Sequence, residues 1–409
     1  MTVRIAPAAP GGRTWRAEQC DAVLRFAARS ALPDGGFGWL DAVGDVDPGR
    51  ELELWINARM TYVFSLASLL EGRVHPLANH GVRSLHELFA DRVHGGWHRS
   101  VRPDGIPIDR TKGCYEHAFV VLAGSAAQVA GVPGADSLLA EALETHADRF
   151  WDDAAGRCRE SWSADWTGLE PYRGANSNMH TVEAYHSAAD VTGDPIWRRR
   201  ALSICDHLIN DTARHNGWRI PEHFDADWRI DLDYHADRPA DPFRPYGATP
   251  GHGFEWARLL LTLEASLDEP PEWMLEAATA LFTTAARDGT PDSDGTLVYT
   301  TDWDGRPVVR ERFHWVVAEA VAAADALARR TGDAVGAEEA DGWWKAIDQH
   351  FVDRSAGSWH HELDDDLRVS TRTWSGKPDA YHIVNAMLLP DLPLAPTTAT
   401  ALAAAKRAG

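Results

Sequence analysis

The chain has 409 residues, 44% of them hydrophobic, and is therefore long enough to bury a large core. Its 61 acidic residues outnumber its 40 basic residues, and the net charge of -21 would repel a nucleic-acid backbone or an anionic membrane surface. A neutral or cationic small molecule is the partner that this charge balance favours.

No run of about 18 apolar residues is present to span a bilayer, and the segment from Met1 to Arg13 lacks the charged-then-apolar pattern of a secretory signal. We therefore expect a cytoplasmic protein. The cysteines are widely spaced and form neither a Cys-x-x-Cys pair nor a disulfide framework, so we expect buried thiols. They are Cys20, Cys114, Cys158 and Cys205.

A glycine followed within two residues by an aromatic or apolar residue recurs along the chain at a nearly constant interval. The six glycines are Gly36, Gly96, Gly156, Gly217, Gly295 and Gly357, and their successive spacings are 60, 60, 61, 78 and 62 residues. Such a period indicates six structural repeats with one longer insertion. Glycine is the residue that most easily adopts the left-handed backbone just past a helix end, so each one is expected to end a helix.

In chain order, each glycine is preceded by an amphipathic segment, as in residues 15–31 and 136–150, and followed by a more apolar, Ala-rich segment, as in residues 55–70, 115–130, 253–266 and 315–328. The apolar segments are expected inside and the amphipathic segments outside. The sequence therefore predicts an all-α fold, an (α/α)6 barrel of twelve helices, as a single domain over residues 1–409.

Two segments fall outside this repeat. Residues 224–250, in the long fourth unit, are rich in Asp and Pro and have no helical period, which predicts an ordered loop over one mouth of the barrel. The tail, residues 390–409, is consistent with either a closing helix or a loose end.

Polar and ionisable residues stand near the start of every predicted inner helix, where an apolar face is expected. They are Trp55, Asn57 and Arg59; Tyr115, Glu116 and His117; Asn176, Asn178, His180 and Glu183; His252 and Glu255; His314, Trp315 and Glu319; and Lys377, Asp379, Tyr381 and His382. Several pairs are three or four residues apart and so share a helix face. If all six faces point inward at one end, a single pocket collects histidines, an arginine, tryptophans and carboxylates, which is a catalytic set.

Each of these residues also has a structural interpretation when taken singly. A lone buried histidine commonly satisfies a loop carbonyl, a lone buried arginine commonly pairs with a carboxylate, and a lone tryptophan is commonly core. His117, His314 and Glu116 can face a neighbouring helix, and we leave them outside the predicted site. The recurrence at six equivalent places favours the functional interpretation.

At residues 176–184 (Asn-Ser-Asn-Met-His-Thr-Val-Glu-Ala), 251–256 (Gly-His-Gly-Phe-Glu-Trp) and 377–382 (Lys-Pro-Asp-Ala-Tyr-His), the chain resembles the N-acylglucosamine 2-epimerase superfamily, and within it the mannose isomerase branch. The resemblance covers nearly the whole chain. It implies an (α/α)6 barrel that acts on a monosaccharide, as a monomer or homodimer, without a metal or other cofactor. The catalytic residues it implies are Arg59, His180, His252, Glu255 and His382, with Trp55, Tyr115, Asn176, Trp315 and Asp379 as substrate contacts.

An aldose and its 2-ketose interconvert through a cis-enediolate, which requires a base near neutral pH, and histidine supplies one. Our hypothesis is that His382 carries the proton between C2 and C1, while His252, oriented by Glu255, serves ring opening. Arg59 would stabilise the enediolate oxygen, and His180 and Asn176 would bind hydroxyl groups. The expected substrates are D-mannose and D-fructose, with D-lyxose and D-xylulose as further candidates.

Three other functions remain open at this point. A sugar 2-epimerase would return the proton to C2 from the opposite face, although the residues after His252 disfavour a cellobiose 2-epimerase. An (α/α)6 glycoside hydrolase would use two of the carboxylates Glu183, Glu255, Glu319 and Asp379, and would leave the histidines unexplained. A non-catalytic glycan-binding protein would use the tryptophans alone.

Overall fold

The computed structural model describes residues 8–291, 294–332 and 336–408. Within these ranges it contains thirteen α-helices, and four of the even-numbered helices begin directly after a short strand. The helices are α1 (Arg13–Ala27), α2 (Leu54–Glu71), α3 (Pro76–Ser84), α4 (Cys114–Val129), α5 (Ala135–Thr145), α6 (Ala175–Thr192), α7 (Pro195–Cys205), α8 (Pro250–Glu264), α9 (Trp273–Gly289), α10 (His314–Thr331), α11 (Ala337–Ala346), α12 (Tyr381–Leu388) and α13 (Thr398–Ala408).

The first twelve helices alternate between an outer and an inner position, which confirms the predicted (α/α)6 barrel. The even-numbered helices form the inner ring: each packs against the next, and α12 contacts α2 to complete the circle. Helix α2 illustrates the inner position: every side chain from Leu54 to Leu69 is buried, because other parts of the chain surround the helix on all sides. The thirteenth helix lies in the tail that the sequence left open, and it packs against α2 and α4.

Fifteen short strands connect the helices in the described part of the chain. They are β1 (Leu52–Glu53), β2 (Ser100–Val101), β3 (Pro107–Asp109), β4 (Lys112–Gly113), β5 (Trp151–Asp152), β6 (Arg157–Cys158), β7 (Ser161–Trp162), β8 (Tyr172–Gly174), β9 (His223–Asp225), β10 (Thr300–Thr301), β11 (Pro307–Val309), β12 (Arg312–Phe313), β13 (Val352–Asp353), β14 (Ser358–Trp359) and β15 (Glu362–Leu363). All pairings are antiparallel, in the order β1-β2-β3 and in the pairs β4-β7, β5-β6, β8-β9, β10-β11, β12-β15 and β13-β14.

The strand pairs hold the starts of the inner helices. Strands β1, β4, β8 and β12 run directly into α2, α4, α6 and α10, and each of them pairs with a strand from the following repeat. These pairings fix the first turn of each helix at one mouth of the barrel.

The six repeat glycines all have the predicted left-handed backbone, with φ between 63° and 82°, but the prediction that each of them ends a helix is wrong. Four of the outer helical segments end instead on a residue with extended backbone, Ala31, Ala90, Trp151 or Val352, and the glycine lies in the turn that follows, as Gly156 does between β5 and β6. Gly96 is also sterically required, because a Cβ there would lie 2.8 Å from the Trp166 ring and 2.9 Å from His117 Nε2. A larger residue would therefore disrupt the packing of the turn as well as its backbone.

Some of the polar residues at the helix starts bind these turns. The amide of Asn57 accepts from the main-chain N–H of Phe37 at 2.6 Å and donates to its carbonyl at 3.2 Å. Asn178 bonds Cys158 in the same way, at 2.8 and 3.2 Å. His117 Nε2 accepts from the N–H of Trp97 at 3.2 Å. Part of the polar recurrence is therefore structural, and His117 is one of the residues that bond a turn.

Residues 224–250 extend from strand β9 to the first turn of α8. Tyr299 donates to the carbonyl of Pro242 at 3.4 Å, and Arg244 pairs with Glu170 at 2.7 and 3.0 Å. These contacts hold Pro242 and Phe243 against the cavity described below, so the prediction of an ordered loop over one mouth is confirmed. All four cysteines are buried and free. No helix in the described ranges has both the length and the apolar composition that crossing a bilayer requires.

Candidate active site

A cavity opens where the starts of the six inner helices meet. Every inner helix or the segment just before it contributes, and so does the loop over the mouth. All ten residues that the sequence predicted for the site line this one cavity: Trp55, Arg59, Tyr115, Asn176, His180, His252, Glu255, Trp315, Asp379 and His382. The structure thus brings together residues up to 327 positions apart in the chain, from Trp55 to His382.

His382 has a fixed tautomer. Its Nδ1 donates to Oε1 of Glu319 at 2.8 Å, and Oε2 of Glu319 accepts from Nε of Arg258 at 2.9 Å. Burial opposes ionisation of Glu319, but Arg258 and His382 outweigh it and hold its pKa below the ordinary value. Because the carboxylate only accepts, Nε2 of His382 keeps its lone pair and is free to act as a base.

His252 also bonds a carboxylate, but this carboxylate belongs to Glu222 and not to Glu255, the residue predicted from the sequence. Its Nδ1 donates to Oε1 of Glu222 at 2.8 Å. The expectation that Glu255 orients His252 is therefore wrong, although the two are three residues apart on α8. Glu222 lies just before strand β9, and the position of that strand beside α8 is set by the barrel and not by helical spacing.

Trp315 lies between the two histidines. Its ring centre is 5.3 Å from that of His252 and 5.6 Å from that of His382, with interplanar angles of 37° and 38°. The indole thus fixes both imidazoles against one wall of the cavity. Each histidine bonds a carboxylate through Nδ1, so Nε2 is the ring nitrogen that remains available in both residues, and both residues line the same cavity.

Glu255 belongs to a group of buried charged and polar side chains at the cavity wall. Nδ1 of His180 lies 3.6 Å from Oε2 of Glu183 and 3.7 Å from Oε1 of Glu255. Burial and the neighbouring Glu319 raise the pKa of Glu255 well above its usual range, while Arg258, 3.7 Å away, opposes the shift. Burial lowers the pKa of His180 to about 4, although Glu183 opposes this. Glu255 therefore favours its protonated form and His180 its neutral form.

Arg59 is held from two sides. Its guanidinium donates to Oδ2 of Asp379 at 2.6 Å and to the hydroxyl of Tyr115 at 2.9 Å. It also lies over the rings of Phe119 and Tyr381, at 4.3 and 4.7 Å from their centres. Asp379 accepts in addition from the main-chain N–H of Tyr381 at 2.8 Å. The cation is fixed at the cavity wall, where a developing negative charge would be stabilised.

Aromatic side chains cover the mouth of the cavity. Phe243 of the loop makes edge contacts with Trp55, Tyr115 and Trp374, at ring-centre distances of 5.9, 6.2 and 5.2 Å. Phe243 is 46% exposed, so one face meets solvent and the other meets the cavity. The C–H faces of a sugar are suited to such rings.

The sequence analysis missed several residues of the site. Arg258 lies one helical turn after Glu255 and was detectable by that spacing. Glu319 was named among the polar residues at the helix starts and as a possible hydrolase carboxylate, but not as the partner of His382. Glu222, Phe243 and His361 lie between helices, where no periodicity marks them. His314 was assigned to a helix contact, and the structure places it on the cavity wall.

Two groups of side chains in the site have potential metal-ligand atoms within 4.8 Å of one another: His180, Glu183 and Glu255; and Glu255, Glu319 and His382. A buried cation is already present among these carboxylates, because Arg258 lies 2.9 Å from Glu319 and 3.7 Å from Glu255. A divalent ion would have to compete with that guanidinium.

Comparison with known proteins gives one consistent result. The family model for N-acylglucosamine 2-epimerase matches residues 35–386. The D-mannose isomerase of Thermobifida fusca is 48% identical over 407 residues, covering 98% of this chain and 99% of that protein. The D-mannose isomerase of Pseudomonas cannabina pv. alisalensis is 44% identical and covers 96% of both chains. A crystal structure of a D-mannose isomerase has a TM-score of 0.86 at 29% identity, covering 93% of this chain and 98% of that one.

Proposed function

The chain belongs to the N-acylglucosamine 2-epimerase family, and we propose that it is an aldose-ketose isomerase that interconverts D-mannose and D-fructose. The observation that carries this proposal is the pair of histidines on either side of Trp315, each with Nδ1 bonded to a carboxylate. Two bases with free Nε2 atoms facing one sugar-sized cavity suit a reaction that moves protons at both carbon and oxygen. D-lyxose and D-xylulose would be the five-carbon counterparts.

The first step opens the sugar ring. His252, held by Glu222, takes the proton of the anomeric hydroxyl and delivers it to the ring oxygen as the C1–O5 bond breaks and the C1=O1 bond forms. The product is the open-chain aldose. Trp55, Tyr115, Asn176 and His180 would hold this chain through its hydroxyl groups and C–H faces, since all four line the cavity.

The second step forms the cis-enediolate. Nε2 of His382 removes the C2 proton, and the electron pair moves through C1 to the aldehyde oxygen. Arg59 faces the charge that develops on oxygen and has no accessible deprotonated form, so its part is electrostatic. His382 then delivers the proton to C1, His252 transfers the proton from O2 to O1, and the product is the ketose.

We further propose that this chemistry needs no metal and takes place in the cytoplasm. Arg258 already neutralises the carboxylates that a divalent ion would use. The four buried free thiols suit a reducing compartment. All the cavity residues come from one chain, so a monomer or a homodimer would suffice. Activity is expected to survive dialysis against EDTA, and loss that is restored by one divalent ion would overturn the metal-free proposal.

The test of the function is incubation of the purified protein with D-mannose, with the products followed by NMR. Fructose as the main product is the expected result. Glucose as the main product would make the protein a 2-epimerase and would overturn the proposal. Hydrolysis of an aryl mannoside without any fructose would instead indicate a glycoside hydrolase.

A further inference from the structure

Two histidines that the proposed reaction does not use are stacked on the wall of the active-site cavity. His314 is the first residue of α10, and His361 lies between β14 and β15. Their ring centres are 3.9 Å apart with an interplanar angle of 19°. Their exposed fractions are 5% and 7%, and both line the cavity. The pair therefore forms part of the cavity wall and is buried from bulk solvent.

The tautomer of His314 is fixed by the main chain. Both its main-chain N–H and its Nδ1 lie within hydrogen-bond distance of the carbonyl of His361, at 3.2 and 3.1 Å. Since Nδ1 donates to that carbonyl, Nε2 carries a lone pair and is an acceptor. Nε2 of His314 and Nε2 of His361 are both buried without a hydrogen-bond partner among the described residues.

Both rings are neutral near pH 7. Burial lowers the pKa of His314 to about 4 and the pKa of His361 well below its usual value, and a positive charge on nearby His382 would lower both further. A neutral ring with one nitrogen committed to a carbonyl is a poor proton shuttle. It is a good acceptor for a hydroxyl group, which would satisfy a buried nitrogen that is otherwise unpaired.

We propose that His314 and His361 form a binding site for one hydroxyl group of the sugar, outside the proton transfer itself. The hydroxyl donates to Nε2 of His314 and also contacts Nε2 of His361. This inference rests on the proposed function for the identity of the ligand as a sugar. It assigns the two residues a role in substrate specificity, because a sugar that lacks this hydroxyl leaves two buried nitrogens unpaired.

The variants are chosen to preserve the surrounding structure. His314→Asn retains a donor near the position of Nδ1, so the bond to the His361 carbonyl can persist while the cavity-facing acceptor is lost. His361→Phe keeps the stacked ring and removes its nitrogens. His360→Phe is the matched control, because the same substitution is made one residue away at a side chain that does not line the cavity.

For D-mannose we expect both cavity variants to raise KM about tenfold while kcat stays within about twofold, the size of one lost hydrogen bond to a buried group. The control should retain the wild-type KM. The melting temperature of each variant separates this effect from misfolding. An unchanged KM in two folded variants would overturn the proposal.

A series of deoxy-mannoses identifies the hydroxyl. With the wild type, one deoxy sugar among the 3-, 4- and 6-deoxy compounds should bind about tenfold more weakly than mannose, and with His314→Asn, which lacks the acceptor of that hydroxyl group, the difference should disappear. If the variant loses the same factor for every sugar, the pair does not contact one hydroxyl and the proposal fails.

Calorimetric binding of D-mannitol, which cannot be isomerised, keeps this test independent of turnover. A wild-type protein that binds mannitol but forms no fructose would contradict the proposed function alone. The comparison of mannitol binding between the wild type and His361→Phe would still decide the role of the histidine pair, with about tenfold weaker binding expected and equal binding contradicting it.

Discussion

Nδ1 of His382 donates to Oε1 of Glu319 across 2.8 Å, and this single contact decides which nitrogen of the histidine faces the sugar. Glu319→Gln replaces an obligate acceptor with an amide that can also donate. Some of the His382 rings would then carry their proton on Nε2 and could not act as a base. We expect kcat to fall about 100-fold with a smaller change in KM.

Glu264→Gln is the control for this substitution. Glu264 is also a buried glutamate on an inner helix paired with an arginine, Arg330, but it does not line the cavity. Steady-state kinetics on mannose should show near wild-type kcat for this variant. An equal loss in both variants would mean that Glu319 acts through stability alone.

The pH dependence of kcat/KM reports the protonation of His382. Burial lowers the pKa of His382 below the ordinary 6.5, and the hydrogen bond to Glu319 opposes that shift. The neutral ring is the base, so activity should be present above this pKa and lost as the pH falls through it. The acidic limb of the wild type is therefore expected below pH 6.5. In Glu319→Gln the limb should lie at a still lower pH, because the contact that raises the pKa of His382 is weakened. An acidic limb above pH 6.5 would exclude His382 as the base with this environment.

The roles of His252 and His382 can be separated by an isotope effect. With mannose deuterated at C2, a primary isotope effect on kcat appears when removal of that proton limits the rate. In His252→Asn ring opening should become limiting, so the isotope effect should fall towards 1 as kcat falls about 100-fold. A larger isotope effect in this variant would assign His252 to the carbon proton instead.

Asp379 stabilises the buried charge of Arg59. Asp379→Ala removes the carboxylate 2.6 Å from the guanidinium and leaves a buried cation without its ion pair. We expect the free energy of unfolding in urea to fall by about 3–5 kcal/mol. Asp366→Ala, which breaks an exposed pair with Arg368, should cost less than about 1 kcal/mol. Equal costs would contradict the buried pairing.

Asn176 and Asn178 lie two residues apart but should behave in opposite ways. Asn178 bonds the peptide of Cys158, so Asn178→Ala should lower the free energy of unfolding by about 1–3 kcal/mol and leave the KM of the folded enzyme unchanged. Asn176 lines the cavity, and its buried Oδ1 has no hydrogen-bond partner in the described part of the chain, so Asn176→Ala should raise KM with little change in stability. Urea unfolding and kinetics on the same two variants decide this.

The fold was predictable because its signal is local and repeated. The Gly36 and Gly96 turns each require the same backbone geometry, and each is followed by an apolar helix, so the period of about sixty residues is visible without any tertiary contact. The site residues that lie at the starts of the inner helices were also predictable, because they recur at the same place in each repeat. Trp315 and His382 fall at equivalent places in their repeats.

The partners of these residues were less predictable, since they come from segments whose position depends on the assembled barrel. Glu222 reaches His252 only because β9 pairs with β8 beside the start of α8. Helical spacing favoured Glu255 for that role, but the carboxylate of Glu255 lies 3.7 Å from His180 and 3.7 Å from Arg258 instead. His361 likewise reaches the cavity through the pairing of β15 with β12.

The central claim is that His382 carries the proton between C2 and C1, and hydrogen exchange in deuterated water tests it most directly. His382→Asn keeps a donor towards Glu319 and removes Nε2. The wild type should convert mannose in D₂O into fructose that carries deuterium at C1. The variant should bind mannitol with near wild-type affinity and show no deuterium at C1 or C2. Deuterium incorporation by the folded variant at a rate near that of the wild type would contradict the account.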